Sequence, residues 1–293
     1  MTALPQPAPR TISWTPRDAA PAALAAVAAA VLFARPAILL ARDWWNDAEA
    51  GHGLLLAPLA LWLAWRRGLA PDRAPSPAAG TVLLLGAVLL RYLSGLAAEL
   101  FTMRFSIVLA AAGLTVFAWG FGQLRRWWLP ATLLVLSIPL PALVTNALAL
   151  PLQFKASSMG AALLDWRHVP VRLAGNVIQL PGRQLFVTEA CSGLRSLTAL
   201  LSLGVLIGGL WLRSVPGRVL ILLLAVPVAI IVNALRVFLT GFLVYFVDPK
   251  LGEGFMHLTE GWLLFVVAFV ILGGAAWLAS AVEHRLLARR AHA

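Results

Sequence analysis

Three residues far apart in the chain have the chemistry of a nucleophile, a proton carrier and an oxyanion donor: Cys191, His257 and Arg236. Cys191 is the one cysteine of the sequence, which excludes an internal disulfide. It opens the run Cys191-Ser192-Gly193-Leu194-Arg195-Ser196, after the polar pair Thr188-Glu189 and before a long apolar stretch. A thiol at a helix start feels the positive end of the helix dipole, which favours the nucleophilic thiolate, and Arg195 one turn on acts in the same direction. The thiol is therefore either reactive or an inert buried group. Arg236 lies in Ile231-Val232-Asn233-Ala234-Leu235-Arg236, and Asn233, three residues earlier, shares its helical face. A charge in an apolar helix is costly and persists where it has a partner or a function. One reading is a clamp to a carboxylate such as Glu189 or Glu260; the other is a guanidinium aimed at an oxyanion developing near Cys191. His257, in Phe255-Met256-His257-Leu258-Thr259-Glu260-Gly261-Trp262, reads on its own as a packing residue. Beside a thiol and a buried arginine it becomes a candidate acid and base. His52, between Gly51 and Gly53, either positions substrate or hydrogen-bonds a loop. No His-x-x-x-His ligand pair occurs, and neither a metal nor another cofactor is expected.

The elements that must position these groups are membrane spans. Hydrophobic residues make up 61% of the chain and charged residues 12%, and the mean hydropathy is +0.87. Soluble domains run near a quarter charged, so this composition belongs to a bilayer. The formal charge of +11 is carried by arginine, with Lys155 and Lys250 the two lysines. The arginines fall mostly at the ends of apolar stretches, where they act as topology signals and anionic-lipid contacts, so no nucleic-acid partner is expected.

Spans of about 20 apolar residues are expected at 20–41, 53–66, 79–98, 105–122, 128–149, 192–212, 218–246 and 257–281, the second short and the seventh long, broken or tilted. They form a single domain over 20–282, between an N-terminal tail (1–19) without a cleavable signal pattern and a basic tail (283–293). Every second loop is arginine-rich, with Arg66, Arg67 and Arg73, then Arg125 and Arg126, then Arg213 and Arg218. Both termini are then cytoplasmic. The fold class is an all-α polytopic membrane protein of about eight transmembrane helices, with a small extracytoplasmic β-hairpin before the cysteine helix. Cys191, His257 and His52 fall at outer starts of spans six, eight and two. Arg236 lies ten residues before the outer end at Phe246, or about 15 Å along a straight helix, and a break near Thr240-Gly241 would bring it closer to the surface. The longest outer segment, 150–190, combines an interfacial helix at 154–164, a hairpin around Ala174-Gly175-Asn176 and a strand-like run Gln184-Leu185-Phe186-Val187-Thr188 leading into Cys191. The hairpin edge either pairs with an extended peptide or is a plain connector.

Thr188-Glu189-Ala190-Cys191-Ser192-Gly193-Leu194-Arg195-Ser196-Leu197 resembles the cysteine motif of the exosortase/archaeosortase family. Asn233-Ala234-Leu235-Arg236-Val237 is similar to its arginine motif, and Met256-His257 with Glu260-Gly261-Trp262 to its histidine motif. Gly51-His52-Gly53 is similar to an early Ser-His-Gly segment, with Gly51 where the family pattern has serine. The resemblance implies a cysteine peptidase and transpeptidase in the bacterial cytoplasmic (inner) membrane, its site facing the periplasm. It would recognise exported proteins by a C-terminal sorting signal: a short motif such as Pro-Glu-Pro, a transmembrane helix and a basic tail. The new carboxyl end would pass through a thioester to an envelope acceptor, a polysaccharide or a lipid. Carried over by position, Cys191 is the nucleophile, Arg236 the oxyanion stabiliser and His257 the acid/base; His52, Glu189, Arg195, Asn233 and Glu260 are expected to contact substrate. Two rivals are a transporter or flippase using Arg91 and Arg236, and a membrane acyltransferase with His257 as base. The inner halves of spans six and seven (Val205–Leu210, Val219–Val226) carry no charge, which argues against a polar path through the membrane.

Overall fold

The computed structural model describes residues 16–47, 50–187, 194–248 and 254–291. Cys191 and Glu189 lie outside the described residues; for His257 and Glu260 the description covers the helical backbone alone. A helix occupies each of the eight expected positions: α1 (Pro16–Asn46), α2 (Gly53–Arg67), α3 (Pro77–Leu96), α4 (Leu100–Trp119), the short α5 (Phe121–Arg126), α6 (Trp128–Leu136), α7 (Ala142–Trp166), α8 (Leu194–Trp211), α9 (Val215–Phe246) and α10 (Gly254–Ala291). Among the described residues six helices are long and apolar enough to cross a membrane, namely α3, α4, α7, α8, α9 and α10.

Two spans differ from expectation. Residues 128–149 are not one helix: α6 stops at Leu136, and α7 starts at Ala142 and runs on through the segment expected to be a separate interfacial helix. Pro139 and Pro141 explain the break, because each lacks an N–H and pushes the residue before it out of the helical region. The carbonyls at the break are met by side chains: Trp44 Nε1 donates to Ser137 O at 2.7 Å, and His52 Nε2 lies 3.1 Å from Leu136 O. Backbone that is irregular at membrane depth needs such partners. The other difference is α9, which continues unbroken through Thr240 and Gly241. Gly241 is there for packing, since a Cβ at that position would come 2.8 Å from Leu164 Cδ1 of α7.

The core is a three-helix unit. Leu194, Leu197 and Leu200 of α8 pack with Ile221, Ala225 and Val232 of α9 and with Leu264, Ala268 and Leu272 of α10. Gly204 faces Ile221 and Gly208 faces Arg218, so α8 and α9 are antiparallel. Ser280 Oγ donates to Trp211 O at 3.4 Å, and Arg213 N donates to Glu283 Oε2 at 2.9 Å, so α8 and α10 are parallel. α7 lies along α9 on Gln153, Ala156, Ser157, Ala161 and Leu164, an i, i+3, i+4 face of mostly small residues. Gly160 meets Val237, and Leu164 meets Gly241; both contacts advance by four residues, so these two helices run parallel.

Three strands, β1 (Arg172–Ala174), β2 (Val177–Leu180) and β3 (Arg183–Phe186), form an antiparallel meander rather than a lone hairpin. Alternation sorts its faces. Leu173, Ile178 and Leu185 align on one face, where Ile178 and Leu185 pack with Leu164, Val237 and Val244 and Leu173 stays exposed; Arg172, Gln179 and Gln184 align on the other. Gly175 (φ +64°) and Gly182 (φ +73°) make the two turns in a region that suits glycine. The arginine-rich loops gather at one end of the bundle. Arg67 Nη1 donates to Arg126 O at 2.9 Å, and both Arg67 and Arg218 stand over Trp128. The sheet, the C-terminal end of α9 and the starts of α8 and α10 occupy the opposite end.

Candidate functional site

Helix registers define where the candidate residues fall. Extending the α8–α9 contacts from Gly208 and Gly204 brings Leu194 level with Val232 and Asn233. Extending the α8–α10 contacts from Trp211 and Arg213 brings Leu194 level with Leu264. Leu194, Val232 and Leu264 are in fact buried in one cluster. Leu194 is three residues along the chain from Cys191. Arg236 is one helical turn beyond Val232, toward the sheet end. His257 is two turns before Leu264, which is about 10 Å of helix rise in the same direction.

The polar stripe of α9 is longer than the sequence reading had it. Asn233 is 4% exposed and Thr240 3%, and both lie on the face that carries the half-buried Arg236. Thr240 is seven residues from Asn233, the next position of the same face, so the spacing was there to find. Arg195, the second residue of α8, is exposed, and its carbonyl accepts from Thr198 Oγ1 at 3.0 Å. His52 stands apart from this group. It lies at the start of α2 against the end of α6, and α6 separates α2 from α8.

Chain entry to the candidate site is fixed on one side. Val187 N donates to Asn176 O at 3.0 Å, and Asn176 Nδ2 donates back to Val187 O at 3.1 Å, so the strand leading to 188–193 is tied to the first turn of the sheet. Beside that turn a shallow groove of about 540 Å³ is lined by Pro151, Phe154, Lys155 and Ser158 of α7 with Leu173 and Gly175. A second polar cluster was missed. Arg104, inside α4 and 4% exposed, forms an ion pair with Asp43 at the end of α1. The rule that singled out Arg236, a guanidinium within an apolar stretch, applies equally to Arg104. Nearby, Glu99 caps α4 by accepting from the Phe101 and Thr102 amides at 3.0 and 2.7 Å. Burial alone would raise the Glu99 carboxyl, but hydrogen bonds from the Thr102 hydroxyl and the two amides, with Arg104 close by, hold it below the usual carboxylate range.

Apolar helices of spanning length, basic loops at one end and a small sheet at the other define a multi-pass membrane protein. The chain belongs to the transmembrane exosortase family, whose profile matches residues 44–274 and so covers the positions of Cys191, Arg236 and His257. Family membership makes it a membrane protein-sorting transpeptidase in general terms, of the cysteine type and acting on exported proteins with sorting signals. Comparison with curated proteins and with solved structures returned no match.

Proposed function

We propose that this chain cleaves a C-terminal sorting signal of the Pro-Glu-Pro type from exported proteins and transfers them to an envelope acceptor. The observation that carries the reading is the shared level of Leu194, Asn233 and Leu264 in the α8–α9–α10 unit, one to two turns from Arg236 and His257. Three residues of chain reach at most about 11 Å, so Cys191 has the tether to meet both. The Cys191 thiolate attacks the scissile carbonyl carbon, and the Arg236 guanidinium donates to the oxyanion. His257 protonates the leaving amine, the C–N bond breaks and a thioester remains, while the signal's helix and tail depart. An acceptor amine or hydroxyl, deprotonated by His257, attacks the thioester and expels the thiolate. Asn233, Glu189, Glu260 and Arg195 orient substrate. The gathering of Arg67, Arg126 and Arg218 at the far end supports a cytoplasmic assignment for that end and a periplasmic one for the site, in the inner membrane.

The test is an exported reporter carrying such a signal, expressed with the wild-type chain or with Cys191→Ala. Wild type shortens the reporter and links it to the envelope; Cys191→Ala inserts normally and leaves the reporter uncut. Full processing by Cys191→Ala removes the thiol from the chemistry and favours an acyltransferase that uses His257 as base.

A further inference from the structure

Three arginines from separate turns of the chain gather at the basic end, two of them over one indole and the third hydrogen-bonded to one of those two. Arg67 closes α2, Arg126 closes α5 and Arg218 lies in the first turn of α9. Arg67 Cζ is 5.9 Å and Arg218 Cζ 4.8 Å from the centroid of the Trp128 ring. Arg67 Nη1 donates to Arg126 O, and Arg126 Nε returns the bond to Arg67 O at 2.8 Å. Arg218 Nε donates to Leu212 O at 3.0 Å. A guanidinium carries five N–H donors, so these contacts fix the three groups while using only part of their capacity. Among the described residues no carboxylate comes within ion-pair distance of any of them; the ion pair there is Arg104–Asp43, elsewhere in the molecule. Glu283, across from Arg218, accepts instead from the Arg213 amide and from Ser214 Oγ. Burial, then the charges of Arg218 and Arg126, hold the Arg67 guanidinium below its ordinary value. The charge of Glu283 reaches Arg218 without forming an ion pair with it, so all three guanidiniums keep donors for a further anion.

We infer that Arg67, Arg126 and Arg218 form a binding site for a phosphate oxyanion, and that its occupant is the phosphodiester of an anionic membrane lipid. The chemistry fits on both sides. Planar guanidinium forks match phosphate oxygens, and basic pockets between helices at the cytoplasmic boundary suit anionic headgroups. Apolar surface for the acyl chains lies close by in the sequence: Trp65 is 78% exposed, Val215 67%, Trp211 48% and Val219 46%. The bound phosphate ties α2, the α5–α6 turn and α9 together at the end remote from the candidate catalytic residues. This inference does not depend on the proposed chemistry of Cys191.

The test uses the full chain purified in a neutral detergent, with native mass spectrometry counting bound phosphatidylglycerol and phosphatidylcholine. The wild type retains phosphatidylglycerol over phosphatidylcholine, and Arg67→Gln/Arg218→Gln loses about 20- to 30-fold of that preference, at about fivefold per guanidinium. Arg73→Gln, which removes one charge at an exposed position of the 68–76 loop, stays within about twofold, against about fivefold for Arg67→Gln alone. A wild type with no lipid preference overturns the site, and so does an Arg73→Gln loss as large as that of Arg67→Gln alone, about fivefold, which marks a diffuse field. If the double glutamine variant does not fold, Arg67→Lys/Arg218→Lys replaces it. That variant keeps the charge and loses the fork, and an unchanged preference overturns the site. Excess inorganic phosphate is the remaining arm. Failure to displace phosphatidylglycerol supports the lipid; full displacement overturns the lipid as occupant and assigns a free phosphate to the same three residues.

Discussion

Replacing Gly160 with alanine tests how α9, and Arg236 with it, is held in place. The added Cβ would lie 2.5 Å from Val237 Cγ1 and 2.9 Å from Val237 Cβ. Carbon atoms in good contact stand about 3.5–4.0 Å apart, so α7 and α9 must open by roughly 1 Å. Valine in a helix has essentially one rotamer, and Val237 is 3% exposed, so it has no room to turn aside. Overpacking of this kind costs about 1–3 kcal/mol. Alanine returns up to about 1 kcal/mol through its better helix propensity. Gly86→Ala separates the two effects, because a Cβ at Gly86 in α3 meets nothing within 4 Å. Unfolding of purified protein should therefore place Gly160→Ala about 1–3 kcal/mol below Gly86→Ala. Processing should fall further than stability, since a shift of about 1 Å at a reacting group costs up to about 100-fold, and Arg236 adjoins Val237. Val237→Ala combined with Gly160→Ala should recover much of both losses. Equal stability of Gly160→Ala and Gly86→Ala, or no relief from Val237→Ala, refutes the parallel α7–α9 contact as the device that seats Arg236.

Arg236→Lys should lower processing about 100- to 1000-fold, the range for loss of one oxyanion donor, with membrane abundance unchanged on immunoblots, because an ammonium lacks the planar fork. Asp43→Asn should cost roughly 1–3 kcal/mol in detergent unfolding, short of the 3–5 kcal/mol of a fully buried pair, since the Asp43 side chain is 32% exposed. The depressed Glu99 carboxyl gives a pH dependence of definite sign. Its stabilisation is fully present above the unfolded carboxylate value, near about pH 4.3, and is lost as pH falls through the lower folded value. Melting curves of the wild type and of Glu99→Gln should converge below that value, and Thr102→Val should move the wild-type loss to higher pH.

Much of the helical layout was legible because apolar runs bounded by arginine leave few alternatives. The break after Leu136 was not read, because the residues on either side of Ser137–Pro141 are as apolar as a span and only the paired prolines signal a stop. The continuity of α9 was missed for the opposite reason. Gly241 looks like a weak point, and its purpose is to admit Leu164 from a helix some 75 residues earlier. The parallel packing of α7 on α9 is a tertiary relation between helices that are not sequence neighbours, and no local pattern encodes it. Asn233 and Arg236 announced a polar face by spacing, while Arg104 was hidden by its partner, Asp43, on a helix whose proximity follows only from the fold. The third strand, Arg183–Phe186, turns back on β2 at Gly182, though the sequence alone offered the run from Gln184 only as a lead-in to Cys191.

Two short neighbouring helices, α2 and α6, impose a demand on the surrounding lipid. At 1.5 Å per residue, α2 is about 22 Å long and α6 about 13 Å, against a hydrocarbon thickness of about 30 Å. They lie side by side, so the shortfall falls on one flank of the protein instead of averaging around it. The bilayer must dimple there, with headgroups and water drawn down beside His52 and the proline break. Such hydrophobic mismatch favours thin membranes over thick ones, and it makes that flank the place where a polar segment would enter sideways at least cost.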